Sequence, residues 1–163
     1  IPLLCFFKKQ LFFLPFLISK MRVSISSKLK KIPTFLNSIG KPYQTITTLM
    51  SVLLETSIGD IVIDLHLTHA PLASQNFLKQ CKLNIYNGVL FFRVVPGFLA
   101  QTGDPTGTGT GGNSVLHPDH RFFQDELAPR HVNHSRQGTI GMTHTNGNPN
   151  ENGSQWYVFK ATQ

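Results

Sequence analysis

The segment Phe91-Phe92-Arg93-Val94-Val95-Pro96-Gly97-Phe98-Leu99-Ala100-Gln101-Thr102-Gly103-Asp104 sets a cation, an amide and several apolar groups close together. In an extended chain Arg93 stands in an otherwise apolar strand, and a sharp Pro-Gly turn brings Phe98, Leu99 and Gln101 back beside it. A cation that donates hydrogen bonds, an apolar wall and an amide on one surface could hold a peptide and polarise one of its bonds. Taken alone, the segment also suits a plainer fate, with Arg93 in a surface ion pair and Phe98 in the core.

Three other patterns invite chemistry and are weaker. The glycine-rich stretch at 103–112 has no Gly-Lys-Ser/Thr ending, and no strong helical pattern follows it, so a nucleotide phosphate site is not expected. His117, His120, His131 and His134 form two His-x-x-His pairs. No cysteine or acidic ligand is fixed beside them, so solvated loop histidines are expected rather than a metal site. No Gly-x-Ser-x-Gly elbow occurs, which leaves a serine hydrolase unsupported.

The Phe91 segment, the Gly109-Thr110-Gly111-Gly112 loop and Asn152-Gly153-Ser154-Gln155 resemble, in order and spacing, the signatures of cyclophilins, the peptidyl-prolyl cis-trans isomerases. The resemblance covers residues 51–162. It implies a catalytic role for Arg93, apolar walls of a proline pocket at Phe98 and Leu99, and a peptide-binding amide at Gln101. Gln155 and Tyr157 fall on further site positions, and Gly109 falls on the loop rim. Thr143 and His144 stand where an Ala-Asn pair is common in the family, Tyr157 where Phe is usual, and the loop at 146–152 is two residues longer. These departures alter the wall that meets the peptide.

The implied chemistry needs no nucleophile, metal or cofactor. Rotation about an X-Pro bond faces a barrier of about 18–20 kcal/mol, because the nitrogen lone pair is conjugated with the carbonyl. An arginine donating toward the prolyl nitrogen favours the twisted, deconjugated state, while an apolar pocket grips the ring. The expected function is therefore isomerisation of X-Pro bonds in folding proteins or assembling ribonucleoproteins. The alternatives are a non-catalytic module that binds proline peptides, and an inactive truncated fragment.

The elements needed to position these groups are legible. Val52, Leu53 and Leu54 run to a Ser57-Ile58-Gly59-Asp60 turn, and Ile61, Ile63, Leu65 and Leu67 then alternate with Val62, Asp64 and His66, which predicts a β-hairpin. Pro71 opens a predicted helix whose buried face holds Ala70, Ala73, Phe77, Leu78 and Cys81, ending near Tyr86-Asn87-Gly88. Strands are expected at 90–95, 98–102, 139–142 and 156–159, with loops at 113–137 and 146–153. The expected fold is mainly β, a cyclophilin-like antiparallel barrel with a capping helix. By resemblance the closing strands and second helix lie outside this chain, leaving an open barrel with an exposed edge beside residues 156–159.

Composition bounds the rest. The chain has 163 residues, 40% hydrophobic and 14% charged, with 13 Gly and 10 Pro, a globular balance that excludes wholesale disorder and two separate full domains. Its net charge of +7 belongs to one end. Eight of the 15 Lys and Arg precede Glu55, where no acid occurs, and from there seven basic residues face eight acidic ones. The expected division is a basic, acid-free extension at 1–49, either a leader or mistranslated upstream sequence, and a partial cyclophilin-like domain at 50–163.

Residues 20–49 have the composition of an organellar transit peptide, though targeting is the less favoured reading. Two cysteines cannot make a disulfide framework, and Cys81 is expected as a buried thiol. The longest unbroken apolar run, 11–18, is too short for a membrane span. The chain is thus expected to be a monomer, off the membrane, taking proline-containing peptides and proteins as partners. The opening Met50-Ser51-Val52-Leu53-Leu54-Glu55-Thr56 and the Gly103-Asp104-Pro105-Thr106-Gly107-Thr108-Gly109 loop are similar to eukaryotic nuclear cyclophilins associated with splicing. That similarity implies a nuclear rather than cytoplasmic setting, with spliceosomal proteins or RNA as partners of a longer protein.

Overall fold

The computed structural model describes residues 50–126 and 137–159, together with the backbone of three strands at 3–7, 22–23 and 29–31. In chain order the elements are β1 (Leu3–Phe7), β2 (Arg22–Val23), β3 (Leu29–Lys31), β4 (Met50–Thr56), β5 (Gly59–Leu65), α1 (Pro71–Lys82), β6 (Val89–Leu90), β7 (Arg93–Val95), β8 (Leu99–Thr102), β9 (Ile140–His144) and β10 (Asn152–Phe159). His131 and His134 lie outside the described residues. None of the described helices is long and apolar enough to cross a membrane.

The predicted hairpin is β4 and β5, paired antiparallel from Met50↔Leu65 to Thr56↔Gly59. Alternation sends Val52, Leu54, Ile61, Ile63 and Leu65 into the core, as a half-buried sheet requires. Leu67 lies past the strand and packs against the core only in part. All strands join one sheet in the order β6-β2-β4-β5-β1-β9-β10-β8-β7, with β3 also on β4. The two ends of that path, β6 and β7, are separated by only two residues of chain, so the sheet curls until its ends lie side by side.

Three strands therefore come from the segment 1–49. β1 sits between β5 and β9, with Cys5↔Leu65 on one side and Cys5↔Ile140 on the other. The exposed edge expected beside residues 156–159 is not observed. β10 pairs with β8 along all four of those residues and with β9 at Trp156, Tyr157 and Val158, so its backbone donors and acceptors are satisfied on both sides.

The strand expected over 90–95 is broken in two, because Phe91 turns into the core at 2% exposure and leaves the ladder with Phe92. β9 and β10 are both longer than their apolar runs suggested. The polar start of β10 is buried anyway, since Asn152 pairs with His144 and bridges Phe123.

α1 begins at Pro71 as expected, yet Ala70 supplies no side-chain cap. Glu126 fills that role from 54 residues away, accepting from the Leu72 and Ala73 amides at 2.8 Å each. A carboxylate on the free amides of a helix start satisfies orphan donors and the dipole together. The buried face of α1 carries Ser74, Asn76 and Gln80 beside Ala73, Phe77 and Cys81. Asn76 donates to the Gly153 carbonyl at 2.8 Å, and Gln80 donates to the Asn113 carbonyl at 2.8 Å. Leu78, expected on the buried face, is only partly covered. The core closes around Trp156, whose ring meets Phe77, Tyr86 and Phe91 edge to face at 5.9–6.4 Å.

Candidate active site

β7 and β8 are joined by the Pro96-Gly97 turn, and Gly97 has φ +74°, a conformation that costs other residues. The turn sets Arg93 directly opposite Gln101 and Val95 opposite Leu99. Tyr157 of β10 pairs with Gln101 on its other side. The side chains of Arg93, Gln101 and Tyr157 thus occupy one row across three strands and share one face of the sheet.

A cavity of about 410 Å³ opens on that face. Arg93, Phe98, Leu99, Gln101, Thr143, His144 and Tyr157, all expected site residues, line it, and so do Met142, Gly147 and Phe159. Arg93 is exposed, so its guanidinium remains hydrated and able to donate. Phe98 is 48% exposed and meets Phe159 edge to face at 5.9 Å, forming an apolar rim. Met142 and Leu99 supply apolar wall. Met142 was missed because one side chain serves both the core and the cavity, and a buried strand residue carries no separate signal.

Tyr157 owes its place to Gly141, its partner across the β9 and β10 ladder. A Cβ at Gly141 would lie 2.8 Å from the Tyr157 hydroxyl and 2.9 Å from Cζ, so the ring lies where a side chain would otherwise stand. Burial pushes the Tyr157 phenol up to about 12, and it remains neutral through the physiological range.

Gln155 and Gly109 do not line the cavity. Gln155 is fully buried behind it, donating through Nε2 to the carbonyls of Gly109 (2.9 Å) and Gly111 (2.8 Å). Its Oε1 accepts from Gln101 Nε2 at 2.9 Å. The glycine-rich loop is wound around Asp104, a residue sequence reasoning had not singled out. The Asp104 carboxylate accepts from the amides of Thr106 (2.8 Å), Gly109 (2.7 Å) and Gly111 (3.1 Å), and from the hydroxyls of Thr106 and Thr108. Burial opposes its ionisation, but the hydrogen bonds from Thr106, Gly111 and Gly109 hold its carboxyl below the usual range. The glycine density thus serves an internal carboxylate rather than an external phosphate.

On the opposite wall, His144 Nε2 lies 2.7 Å from Asp125 Oδ1, and Asn152 Nδ2 donates to the same oxygen at 2.7 Å. Burial again works against the charge, yet hydrogen bonds from Asn152 and His144 keep Asp125 below the usual carboxylate range. An ionised carboxylate only accepts, so the hydrogen shared with Asp125 sits on Nε2 of His144. The pairing fixes the imidazole as part of the wall. His117 and His120 are exposed, their rings 6.1 Å apart. No cluster of metal-ligating side chains occurs among the described residues.

The described residues thus form a mainly β domain with one capping helix and a cationic, apolar-walled cavity on its sheet. Residues 51–163 match the family of cyclophilin type peptidyl-prolyl cis-trans isomerases (cyclophilin type peptidyl-prolyl cis-trans isomerase/CLD). The chain is 52% identical over 112 residues to the peptidyl-prolyl cis-trans isomerase CYP59 of Arabidopsis thaliana, covering 66% of this chain and 22% of that one. It is 44% identical over 114 residues to human peptidyl-prolyl cis-trans isomerase-like 3, covering 70% and 67%.

A crystal structure of a cyclophilin type peptidyl-prolyl cis-trans isomerase from Cryptosporidium parvum superposes with a TM-score of 0.64 at 34% identity, covering 71% of this chain and 69% of that one. A second structure of that protein, in the presence of the dipeptide Ala-Pro, gives 0.63. This chain belongs to the cyclophilin-type peptidyl-prolyl cis-trans isomerase family. It spans about a fifth of the length of its plant relative.

Proposed function

We propose that this chain catalyses cis-trans rotation about X-Pro bonds, with Arg93 as the catalytic residue. The observation that carries the reading is the exposed Arg93 guanidinium beside a cavity walled by Phe98, Leu99, Met142 and Tyr157. The apolar wall takes the proline ring. Gln101 and the backbone around Thr143 and His144 hold the flanking peptide, and Arg93 donates toward the prolyl nitrogen as its lone pair localises. Such a bond strengthens only in the twisted state, so it lowers the barrier rather than merely tightening binding. No side chain is consumed and no proton need be exchanged.

The occupants are proline-containing peptides and proteins, and spliceosomal clients in the nucleus are the finer reading. That reading is supported by the similarity of the first strand and of the glycine-rich loop to nuclear members of the family. Arg93→Ala in the full chain is expected to lower kcat/KM for a prolyl peptide by about 10²-fold or more, with Arg93→Lys only partly restoring it. Unchanged isomerisation by Arg93→Ala would overturn the assignment. The altered Thr143-His144 wall supports one rival, a module that binds proline peptides without turnover. Saturable peptide binding with no rate enhancement in the unsubstituted chain would replace the first reading by the second.

A further inference from the structure

Gln155 commits its amide completely. Both hydrogens of Nε2 are accounted for by the carbonyls of Gly109 and Gly111, so the side chain cannot turn over without abandoning two buried acceptors. Its Oε1 must then face Gln101, and only a donor can meet it there. Gln101 answers with Nε2 at 2.9 Å, so its own Oε1 is the amide atom not engaged with Gln155, on a residue that lines the cavity. The direction of both amides thus depends on where the Gly109 and Gly111 carbonyls point. Those residues are held by their own amides, and both amides donate to Asp104. Asp104 is completely buried and does not line the cavity.

We propose that Asp104 is a positioning residue: by holding Gly109 and Gly111 it sets the direction of the Gln155 and Gln101 amides, so that Gln101 presents its oxygen to an N–H of the bound peptide. Space around the loop is consistent with a rigid brace. A Cβ on Gly111 would lie 2.3 Å from Asp104 Oδ1, and one on Gly112 would lie 2.2 Å from Ser154 Oγ. The loop is therefore drawn onto the carboxylate at Gly111, and onto Ser154 at Gly112, as closely as glycine permits. The consequence for turnover rests on the isomerase reading, whereas the polarity of the amide relay does not.

The test uses the full chain carrying Gln101→Glu, alone and combined with Asp104→Asn, and follows the introduced carboxyl by carbon-13 NMR across pH. The groups facing that position are Arg93 on β7, Tyr157 on β10 and His144 on β9. Only Arg93 carries a fixed charge, and it is common to all variants. With the brace intact the carboxyl meets the Gln155 oxygen, acceptor against acceptor. That contact raises its pKa, while Arg93 lowers it equally in every variant.

With Asp104→Asn the loop relaxes, the Gln155 amide turns and donates, and that pKa falls by about one unit or more. Thr106→Val, which removes one donor to Asp104 and keeps its charge, should shift the value in the same direction by less. It separates loss of the brace from loss of a negative charge, and serves alone if Asp104→Asn does not fold. Equal values with and without the brace would overturn the proposal even if turnover is normal. The expected shifts in a chain whose unsubstituted form shows no isomerisation would instead sink the isomerase reading and leave the relay standing.

Discussion

Gly141→Ala offers a sharp test of how the cavity wall is built. Gly141 lies in regular β9 and is not among the positive-φ glycines, so alanine meets no backbone strain there, and a strand interior would gain about 0.5 kcal/mol from it. Against that gain stands the Tyr157 ring, with Oη at 2.8 Å, Cζ at 2.9 Å and Cε1 at 3.1 Å from the new Cβ. The ring must withdraw by about 0.6 Å to reach ordinary contact.

Tyr157 is covered by β9 on one side and opens on the cavity on the other, so it moves into the cavity. Overpacking of this kind costs about 1–3 kcal/mol, for a net loss of about 1–2 kcal/mol and a fall in Tm of roughly 2–8 °C. Peptide affinity should fall with it. In a Tyr157→Ala background the same Gly141→Ala should be neutral or slightly stabilising, giving a coupling of about 1–2 kcal/mol in a thermal double-mutant cycle. Equal costs in the two backgrounds, or no cost in the parent, would refute the account of the wall.

Other expectations are simpler. Glu126→Gln should cost about 1–2 kcal/mol and speed hydrogen exchange at Leu72 and Ala73 first, since it weakens two charge-assisted bonds to the start of α1; unchanged exchange there would remove Glu126 as the cap. Asp104 and Asp125 both have folded-state pKa values below their unfolded ones, so their contribution is full above about pH 4 and lost as pH falls through the folded values. Asp104→Asn should flatten the acid limb of stability against pH, and an unaltered limb would contradict the brace. Burial pushes the Cys81 thiol up to about 12, so alkylation at pH 8 should occur only through unfolding, with a rate that rises with denaturant. Rapid native-state labelling would show that α1 is not seated as described.

Much of the scaffold was legible because single-element signals agreed with one another. Period-two alternation at Ile61, Ile63 and Leu65 and the Pro71 start were decided by neighbours in sequence, and the structure places both as expected. The residues that sequence reasoning missed act across long separations. Glu126 caps a helix 54 residues upstream, and Asp104 matters only because its own loop folds back over it. The Phe91-Phe92 pair read as continuous strand, since nothing local says that Phe91 dives toward Trp156.

In the site, the long motif around Arg93 named most of one wall through its resemblance to a family. Gly147 and Phe159 entered only through pairing and loop length. Gln155 and Gly109 carried a site signal without lining the cavity: Gln155 donates to the Gly109 carbonyl and accepts from Gln101, which does line it. The apolar run at Leu3–Phe7 lacks any alternation that would have marked it as an inner strand of the sheet.

The alternation of β10 has a spectroscopic consequence. Trp156 is the only tryptophan in the sequence and is 1% exposed, enclosed by the rings of Phe77, Tyr86 and Phe91, while its neighbour Tyr157 looks out into the cavity. Adjacent residues on one strand thus report on opposite faces of the sheet. Intrinsic emission from this chain comes from the junction of helix and sheet, shielded from water and from whatever occupies the groove. It should be blue-shifted in the native state and nearly silent to peptide binding, giving a built-in optical gauge of folding that ligand titrations leave undisturbed.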